Sequence, residues 1–180
     1  MNPVYTIGHS TRTIEEFTDL LREYGVQVLC DVRRYPGSRR LPQFGKQQLA
    51  TSLAGAGIEY LHVETLGGRR QPRPDSPNTG WRNPQFRGYA DHMDTPEFRA
   101  ALSSVIDLTR ARSVAIMCAE ALPWRCHRQL IADALVARGV DVRHIVQSGS
   151  LLDHQLRPNA MVADDGHVVY PATGSQLGLL

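Results

Sequence analysis

The sequence predicts an α/β protein: a single domain with a mostly parallel five-stranded sheet, helices on both faces and a small C-terminal hairpin. Three observations lead to this prediction. Apolar strand-like segments alternate with segments of helical periodicity, an order that is typical of parallel sheets. The second strand-like segment is almost entirely apolar, as expected of a strand covered on both faces. A length of 180 residues suits one domain with its own core.

Each element of the first half has a local signal. Thr13 and Glu16 form a capping-box pattern in front of a helix that Gly25 ends. In chain order we predict a strand at Val4 to Gly8, this capped helix, a strand at Val26 to Val32, a short helix at Lys46 to Ala56 and a strand at Ile58 to Val63.

The second half begins with a long irregular loop at 64–94, which is rich in proline and glycine. Loops of this length are usually functional or partly disordered, and Pro84 to Met93 within it is compatible with a short helix. Thr95 and Pro96 then begin a firmer helix. We further predict a strand at Ser113 to Cys118, a helix after Cys126 that Gly139 ends, a strand at Asp141 to Val146 and a hairpin around Asp164 to Gly166. The domain is expected to span 1–172, with a flexible tail at 173–180.

The composition excludes several classes of protein. Apolar residues make up 42% and charged residues 21%, which is ordinary for a globular protein in water. No apolar stretch is long enough to predict a membrane span, and the first residues do not resemble a secretory signal. Three widely spaced cysteines argue against a disulfide framework. We therefore expect a cytoplasmic protein with reduced thiols.

The positive charge consists almost entirely of arginine. The net charge is only +2, which by itself does not indicate nucleic-acid binding, and Lys46 is the only lysine among 20 basic residues. Codon bias in a GC-rich genome is the simpler explanation of this composition. Clustering favours anion recognition instead, because the guanidinium group fits phosphate and carboxylate. The clusters are Arg33, Arg34, Arg39 and Arg40, and Arg69, Arg70 and Arg73.

Parallel strands bring several reactive side chains to one edge of the sheet. In open α/β sheets, ligands bind at the carboxyl ends of the strands. We therefore expect one site built from His9, Ser10 and Arg12 after the first strand, Asp31 and Arg33 after the second, and Cys118, Glu120, Cys126, His127 and Arg128 after the fourth.

Cys118 is the strongest candidate for chemistry at this edge. Arg125, Arg128, His127 and a helix N-terminus would lower the pKa of its thiol and make it a nucleophile. The alternative is a buried apolar residue, since free cysteine is commonly buried. His9 is interpreted either as a general base or as a side chain bonded to a backbone carbonyl.

The two carboxylates of this edge have a similar double interpretation. Glu120 is either a proton-transfer group or the partner of a nearby arginine. Asp31 ends an apolar strand and needs a partner there, so it is either half of an ion pair or a catalytic group.

The spacing around Cys118 does not fit an ordinary tyrosine-phosphatase loop. The first arginine after it is Arg125, seven residues on, and Glu120 would repel a phosphate dianion. A rhodanese-like layout is closer, because such domains also pair an Asp-Val-Arg strand end with a cysteine at a later strand end.

A metal site is a further alternative. Cys118, Cys126, His127 and His9 are zinc-ligand types, but their spacing is not that of a zinc knuckle. We also expect that the neighbours Cys126 and His127 do not both reach one ion. The prediction is therefore no metal site and no required cofactor, with zinc or iron as the less favoured possibility.

Two arginine-rich loops extend the predicted site. Ser38, Arg39 and Arg40 belong to one loop, and Arg69 follows a pair of glycines in the other. Glycine lets an anion approach the backbone closely, and Tyr89 is one of several nearby aromatic residues able to stack on bases. A nucleotide or nucleic acid therefore remains a candidate ligand of these loops. The alternative interpretation is that the loops are ordinary surface exposed to solvent.

These motifs resemble a known family, the domain of unknown function 488 family. The resemblance lies in Thr6 to Ser10, Asp31 to Arg33, Pro36 to Arg40, Leu66 to Arg69, Phe86 to Ala90, Cys118 to Glu120 and Cys126 to Arg128, and it covers roughly Tyr5 to Tyr170. It implies a single α/β domain, a cytosolic bacterial or archaeal setting, and one site formed by these motifs. It implies no particular reaction.

The leading hypothesis is an enzyme, a transferase or hydrolase, that acts on a small anionic ligand, phosphorylated or nucleotide-like. The predicted catalytic residues are Cys118, Glu120, His9, Asp31 and His127. The predicted ligand-binding residues are Ser10, Arg12, Arg33, Ser38, Arg39, Arg40, Arg69, Tyr89, Cys126 and Arg128. The alternatives are a non-catalytic nucleotide or nucleic-acid binding protein, a rhodanese-like sulfur transferase, and a thiol or metal sensor. The oligomeric state has no signal in the sequence.

Overall fold

The computed structural model describes residues 2–37 and 39–172. Ser38 and the tail expected at 173–180 lie outside the described residues. No helix in the described part of the chain is long and apolar enough to cross a membrane. The helices are α1 (Ile14–Glu23), α2 (Lys46–Gly55), α3 (Pro84–His92), α4 (Pro96–Leu108) and α5 (Arg128–Val136). The strands are β1 (Val4–Gly8), β2 (Val28–Asp31), β3 (Glu59–His62), β4 (Val114–Cys118), β5 (Val142–Gln147), β6 (Ser150–Asp153), β7 (Met161–Val162) and β8 (Val168–Val169).

The main sheet has six strands in the order β3-β2-β4-β1-β5-β6. The first five are parallel, and β6 pairs antiparallel with β5. The α/β prediction is therefore confirmed, and the count of five strands misses β6. This strand has only four residues, and two of them, Ser150 and Asp153, are polar, so its sequence offers little apolar signal. A turn at Gly149, whose φ is 68°, joins it to β5. The predicted C-terminal hairpin is confirmed as β7 and β8.

Local capping explains where three of the helices begin. The Thr13 hydroxyl accepts a hydrogen bond from the backbone of Glu16, and the Glu16 carboxylate accepts one from the backbone of Thr13 at 2.8 Å. This is the predicted capping box. The Thr95 hydroxyl accepts a hydrogen bond from the backbone of Phe98 at the start of α4. The Asn83 side chain caps α3, the helix predicted inside the long loop.

The two faces of the sheet are covered by different helices. Phe17 of α1 and Leu53 of α2 belong to the core on one face. Tyr89 of α3, Phe98 of α4 and Leu130 of α5 belong to the core on the other face. The chain after β2 therefore leads to a helix on one face of the sheet. The two strands beside β2 in the sheet are β3 and β4, and the chain after each of them leads to helices on the other face. Such a divergence opens a crevice at the carboxyl ends of these strands.

Candidate functional site

A cleft of about 510 Å³ lies at the carboxyl ends of β2, β3 and β4, where the sheet topology predicts a crevice. Its walls come from the segments that follow these strands and from the first turns of α3. The lining residues are Arg33, Arg34, Tyr35, Gly37, Gly68, Arg69, Asn83, Gln85, Phe86, Tyr89, Cys118, Ala119, Glu120, Arg125, Cys126 and His127.

Two cysteines contact each other at the floor of this cleft. Cys118 ends β4 and Cys126 precedes α5, and the two sulfur atoms lie 2.8 Å apart. Their side chains are 7% and 4% exposed. The hydrogen bond runs from Cys126 to Cys118 while both thiols are protonated, and its direction reverses, from Cys118 to Cys126, once Cys126 is ionised.

Electrostatics make the two thiols unequal. Burial opposes ionisation of Cys126, but the hydrogen bond from Cys118 and the positive charge of Arg128 outweigh it and lower the pKa of Cys126 to about 7. The hydrogen bond to Cys126, followed by burial, raises the pKa of Cys118 to about 12. Of the two thiols, Cys126 therefore ionises first, at a pH near neutrality. The sequence suggested Cys118 as the nucleophile, whereas the surroundings of the pair favour Cys126 for this role.

His127 completes a compact group with these cysteines. Its Nε2 donates to the carbonyl of Val32 at 3.0 Å, so Nδ1 carries the lone pair. Nδ1 lies 3.5 Å from the sulfur of Cys126, and one ligand atom from each of the three side chains lies within 4.8 Å of the others. A Cβ atom at Gly68 would lie 2.9 Å from this Nδ1, so the glycine leaves room for the ring.

The expectation that the neighbours Cys126 and His127 do not both reach one ion is wrong, because their ligand atoms lie on the same side of the chain. Cys126 is extended, with φ of −135° and ψ of 152°, whereas His127 is helical, with φ of −58° and ψ of −14°. This change of backbone conformation at the start of α5 turns the two neighbouring side chains to the same side.

Arg33 is held rigidly by Asp31. The guanidinium group donates to both carboxylate oxygens, at 2.9 and 2.6 Å, and to the carbonyl of Phe44 at 2.8 Å. The hydroxyl of Tyr60 donates to the same carboxylate at 2.7 Å. Asp31 is fully buried and does not line the cleft, so it acts in this geometry as the partner that neutralises and positions Arg33.

His9 lies behind Arg33 rather than at the cleft surface. Its ring stacks on Phe44 with centroids 4.3 Å apart, and Nδ1 donates to the carbonyl of Ser10 at 2.9 Å. Burial, and then the charge of Arg33, lower the pKa of His9 to about 4. The ring is therefore neutral at physiological pH and supports Arg33, whose Nη1 lies 3.5 Å from Nε2.

Three other arginines give the cleft an excess of positive charge. Arg34, Arg69 and Arg125 line it, and none of the three forms an ion pair with a carboxylate within the described residues. Arg34 and Arg69 lie 5.6 and 5.9 Å from the ring centre of Tyr35, and Arg34 donates to the carbonyl of Arg69 at 3.0 Å. Glu120 is the one carboxylate among the described lining residues. Of these arginines, only Arg69 was predicted as a ligand-binding residue.

Arg128 lies behind the cysteines and is 1% exposed. Its guanidinium group donates to the carbonyl of Glu120 and, at 3.3 Å, to the hydroxyl of Thr6. The Thr6 hydroxyl donates in turn to Nδ1 of His144 at 2.7 Å. Arg128 was predicted to hold a ligand, but its guanidinium group is buried and bonded to other groups of the protein. Its effect on the site is electrostatic, because its charge lowers the pKa of Cys126.

The hydrogen-bond chain continues beyond His144 to a buried carboxylate. Nε2 of His144 donates to Nδ1 of His154 at 3.0 Å, and Nε2 of His154 donates to Asp133 at 2.8 Å. The hydroxyl of Tyr170 donates to the other oxygen of Asp133 at 2.8 Å. Burial, and then the neighbouring His154 and Arg128, lower the pKa of His144 to about 3, so this ring is neutral. Sequence reasoning missed this network, because its members are spread from β1 to the C-terminal hairpin.

The remaining predicted residues occupy different places. Tyr89 lines the cleft and donates to the carbonyl of Leu66 at 2.7 Å. The backbone of Ser10 donates to Ala119 at 2.9 Å, whereas Arg12 donates to the carbonyls of Gly8 and Val146 and lines a separate cavity beside α1. Arg39 and Arg40 are exposed and do not line the cleft. The cleft thus brings together Arg33, Arg69, Tyr89, Cys118, Glu120, Cys126 and His127.

The cleft also contains residues that the sequence analysis did not select. Asn83, Gln85 and Phe86 belong to the start of α3 and form one wall. The Asn-Pro pair at Asn83 is an N-cap signal that marks the helix start, but no local signal indicates that this helix faces the cysteines.

The fold and the cleft define the class of protein: a mostly parallel α/β protein with a cysteine pair and an arginine-rich cleft at the strand ends. Within this class, the chain belongs to the family described as Domain of unknown function DUF488, whose model matches residues 13–135. The matched segment includes every residue that lines the cleft. The comparison with curated proteins gave no match, and neither did the comparison with solved structures.

Proposed function

We propose that this protein is a cysteine-dependent enzyme that acts on a small anionic ligand bound in the cleft. Cys126 is the nucleophile and Cys118 is its hydrogen-bond donor. The observation that carries this proposal is the buried pair itself, in which the thiol of lower pKa lies at the floor of an arginine-lined cleft.

The arginines support an anionic ligand. Arg33 is already neutralised by Asp31, so Arg34, Arg69 and Arg125 are the groups whose charge is available to a bound molecule. A guanidinium group binds phosphate and carboxylate oxygens through paired hydrogen bonds. Low-dielectric walls concentrate this field and raise the local concentration of anions.

Competition between two alkylating reagents tests both parts of the proposal. Iodoacetate carries a carboxylate and iodoacetamide is neutral, and both react with thiolates. We expect Cys126 to react first, and we expect its iodoacetate-to-iodoacetamide rate ratio to exceed that of 2-mercaptoethanol by on the order of tenfold at low salt. The variants Arg34→Gln and Arg125→Gln should lower this ratio, and added salt should lower it further.

Cys30 provides the internal control for this experiment. It lies in β2, is fully buried, and its pKa is raised to about 12 by burial. It should remain unmodified until the protein unfolds. Alkylation of Cys126 at the rate of an ordinary thiol, with no preference for iodoacetate, would refute the proposal.

A metal sensor is the second candidate function, favoured by the grouping of Cys118, Cys126 and His127. His127 directs Nδ1 toward the cysteines while its Nε2 donates to a backbone carbonyl, which is the usual arrangement of a metal-binding histidine. Two sulfurs bound to one zinc ion lie roughly 3.8 Å apart, so the observed 2.8 Å fits a thiol pair better than a zinc site. Elemental analysis of protein purified without chelator or nickel column distinguishes the two candidates.

A further inference from the structure

We infer that the cleft reduces small anionic disulfides, with Cys126 attacking the substrate and Cys118 resolving the mixed disulfide. This inference rests on the proposed function, because it uses the same nucleophile and the same arginines. It adds the substrate class and a role for the second thiol.

The contact between the two thiols is the first argument. Cys118 lies 2.8 Å from the atom to which any substrate adduct would be attached. An acyl or phosphoryl adduct on Cys126 is removed by water and a general base and does not need a second thiol. A mixed disulfide, in contrast, is released by a thiol that attacks the adducted sulfur. The location of Cys118 therefore favours a sulfur electrophile.

The unequal acidity of the pair is the second argument. Thiol–disulfide exchange needs a thiolate to begin, and an attacking thiol reacts best when its pKa lies near the ambient pH. Cys126 meets this condition, with a pKa of about 7. Cys118 stays protonated until Cys126 is capped, because the hydrogen bond to Cys126 is the largest cause of its raised pKa. Formation of the mixed disulfide removes that hydrogen bond and frees Cys118 for the second step.

The reaction balances in two steps. The Cys126 thiolate attacks one sulfur of R–S–S–R, so that a Cys126–SR bond forms, the substrate S–S bond breaks and one RS⁻ leaves. Cys118 then gives its proton to Nδ1 of His127 and attacks the Cys126 sulfur. The Cys118–Cys126 disulfide forms and the second RS⁻ leaves. The substrate is reduced by two electrons and the thiol pair is oxidised, and an external thiol reductant restores the pair for another cycle.

The charge of the cleft selects among disulfides. Arg34, Arg69 and Arg125 favour substrates that carry carboxylates, and they stabilise the thiolate leaving groups. Glu120 is the one opposing charge among the described lining residues. A cationic disulfide such as cystamine should therefore react more slowly than an anionic one.

A single-turnover assay with 5,5′-dithiobis(2-nitrobenzoate), an aromatic disulfide with two carboxylates, tests the inference. Folded wild-type protein should release two aromatic thiolates per chain, and peptide mapping should locate a Cys118–Cys126 disulfide with Cys30 free. Cys118→Ser should release one thiolate and retain a stable mixed disulfide on Cys126. Cys126→Ser should lose the fast phase. The mapping uses wild-type protein, so the test does not depend on the stability of either variant.

Substrate selection is measured with 3,3′-dithiodipropionate and cystamine, each rate being divided by that of 2-mercaptoethanol with the same disulfide. We expect the anionic disulfide to be favoured by on the order of tenfold, and Arg125→Gln to reduce this preference. Release of one thiolate by wild type, with no Cys118–Cys126 disulfide, would overturn the inference and leave the proposed function intact. If Cys126 also failed to react with iodoacetate, both the inference and the proposed function would be overturned.

Discussion

Replacing Gly8 by alanine tests how the end of β1 positions the cysteine-bearing loop. A Cβ atom at this residue would lie 1.7 Å from the carbonyl oxygen of Glu120, and Cβ atoms essentially never come within 3.0 Å of a heavy atom outside their own residue and its chain neighbours. The backbone of one segment must therefore move by about 1.3 Å, which a close-packed sheet edge resists. The Glu120 carbonyl also accepts a hydrogen bond from the buried Arg128, so this movement acts on the site directly.

The expected loss of stability follows from these contacts. Overpacking a well-packed region costs about 1–3 kcal/mol. Displacing the carbonyl weakens a hydrogen bond to a buried charge, which adds about 1.5–3 kcal/mol. We therefore expect Gly8→Ala to lower the free energy of unfolding by about 3–5 kcal/mol, a large share of the stability of an ordinary domain.

Gly55 offers a matched control, since the same substitution there meets no atom within 4 Å. It is the last residue of α2 and has ordinary helical geometry, so Gly55→Ala should raise the free energy of unfolding by about 0.5–1 kcal/mol. Urea denaturation followed by circular dichroism measures both variants, and alkylation of Cys126 reports on the loop. Equal midpoints for the two variants would show that β1 and the cysteine loop do not approach as described.

Three further predictions concern titration and the buried network. The alkylation rate of Cys126 should rise with pH through a midpoint near 7, and a midpoint above 8.5 would contradict the described surroundings of its thiolate. The pKa values of His9 and His144 are lowered to about 4 and about 3, so the unfolded state binds more protons as the pH falls through 6.5. Each ring should therefore cost about 1.6 kcal/mol of stability between pH 6.5 and 5. Replacing either histidine by asparagine should flatten the measured dependence, and an unchanged slope would refute the assignment. Asp133→Asn removes the charge that two buried groups donate to and should lower the free energy of unfolding by about 2–4 kcal/mol, measured by urea denaturation at pH 7.5.

Elements with strong local signals could be predicted from the sequence. The capping box at Thr13 and the apolar runs of β2 and β4 depend on neighbouring residues only, and the structure confirms them. The edge strand β6 could not be predicted, because it has only four residues and gains its hydrogen bonds from β5. Edge pairing of this kind is decided by the partner strand rather than by local composition.

The location of the site follows from topology, but its chemistry depends on contacts that sequence spacing does not encode. Parallel strands bring Arg33 and Cys118 to one edge, as predicted. The partnership of Cys118 with Cys126, and the shared direction of Cys126 and His127, depend on the backbone path through the intervening 3₁₀ turn. For this reason the sequence pointed to Cys118 as the nucleophile, whereas the contacts in the structure favour Cys126, a difference that the alkylation assay is able to measure.

The buried network explains how the positive charge of Arg128 is held beside Cys126 without a carboxylate that would neutralise this charge. A carboxylate in contact with Arg128 would cancel the field that lowers the pKa of the thiol. Instead, Arg128 donates to neutral acceptors, including the carbonyl of Glu120 and the hydroxyl of Thr6. The carboxylate in that chain, Asp133, is separated from Arg128 by Thr6 and by two histidines. The orientation of Arg128 is thus fixed by hydrogen bonds while its charge remains available to the cysteine. Both histidines lie after residue 135, so part of the hydrogen-bond network that holds Arg128 lies outside the segment matched by the family.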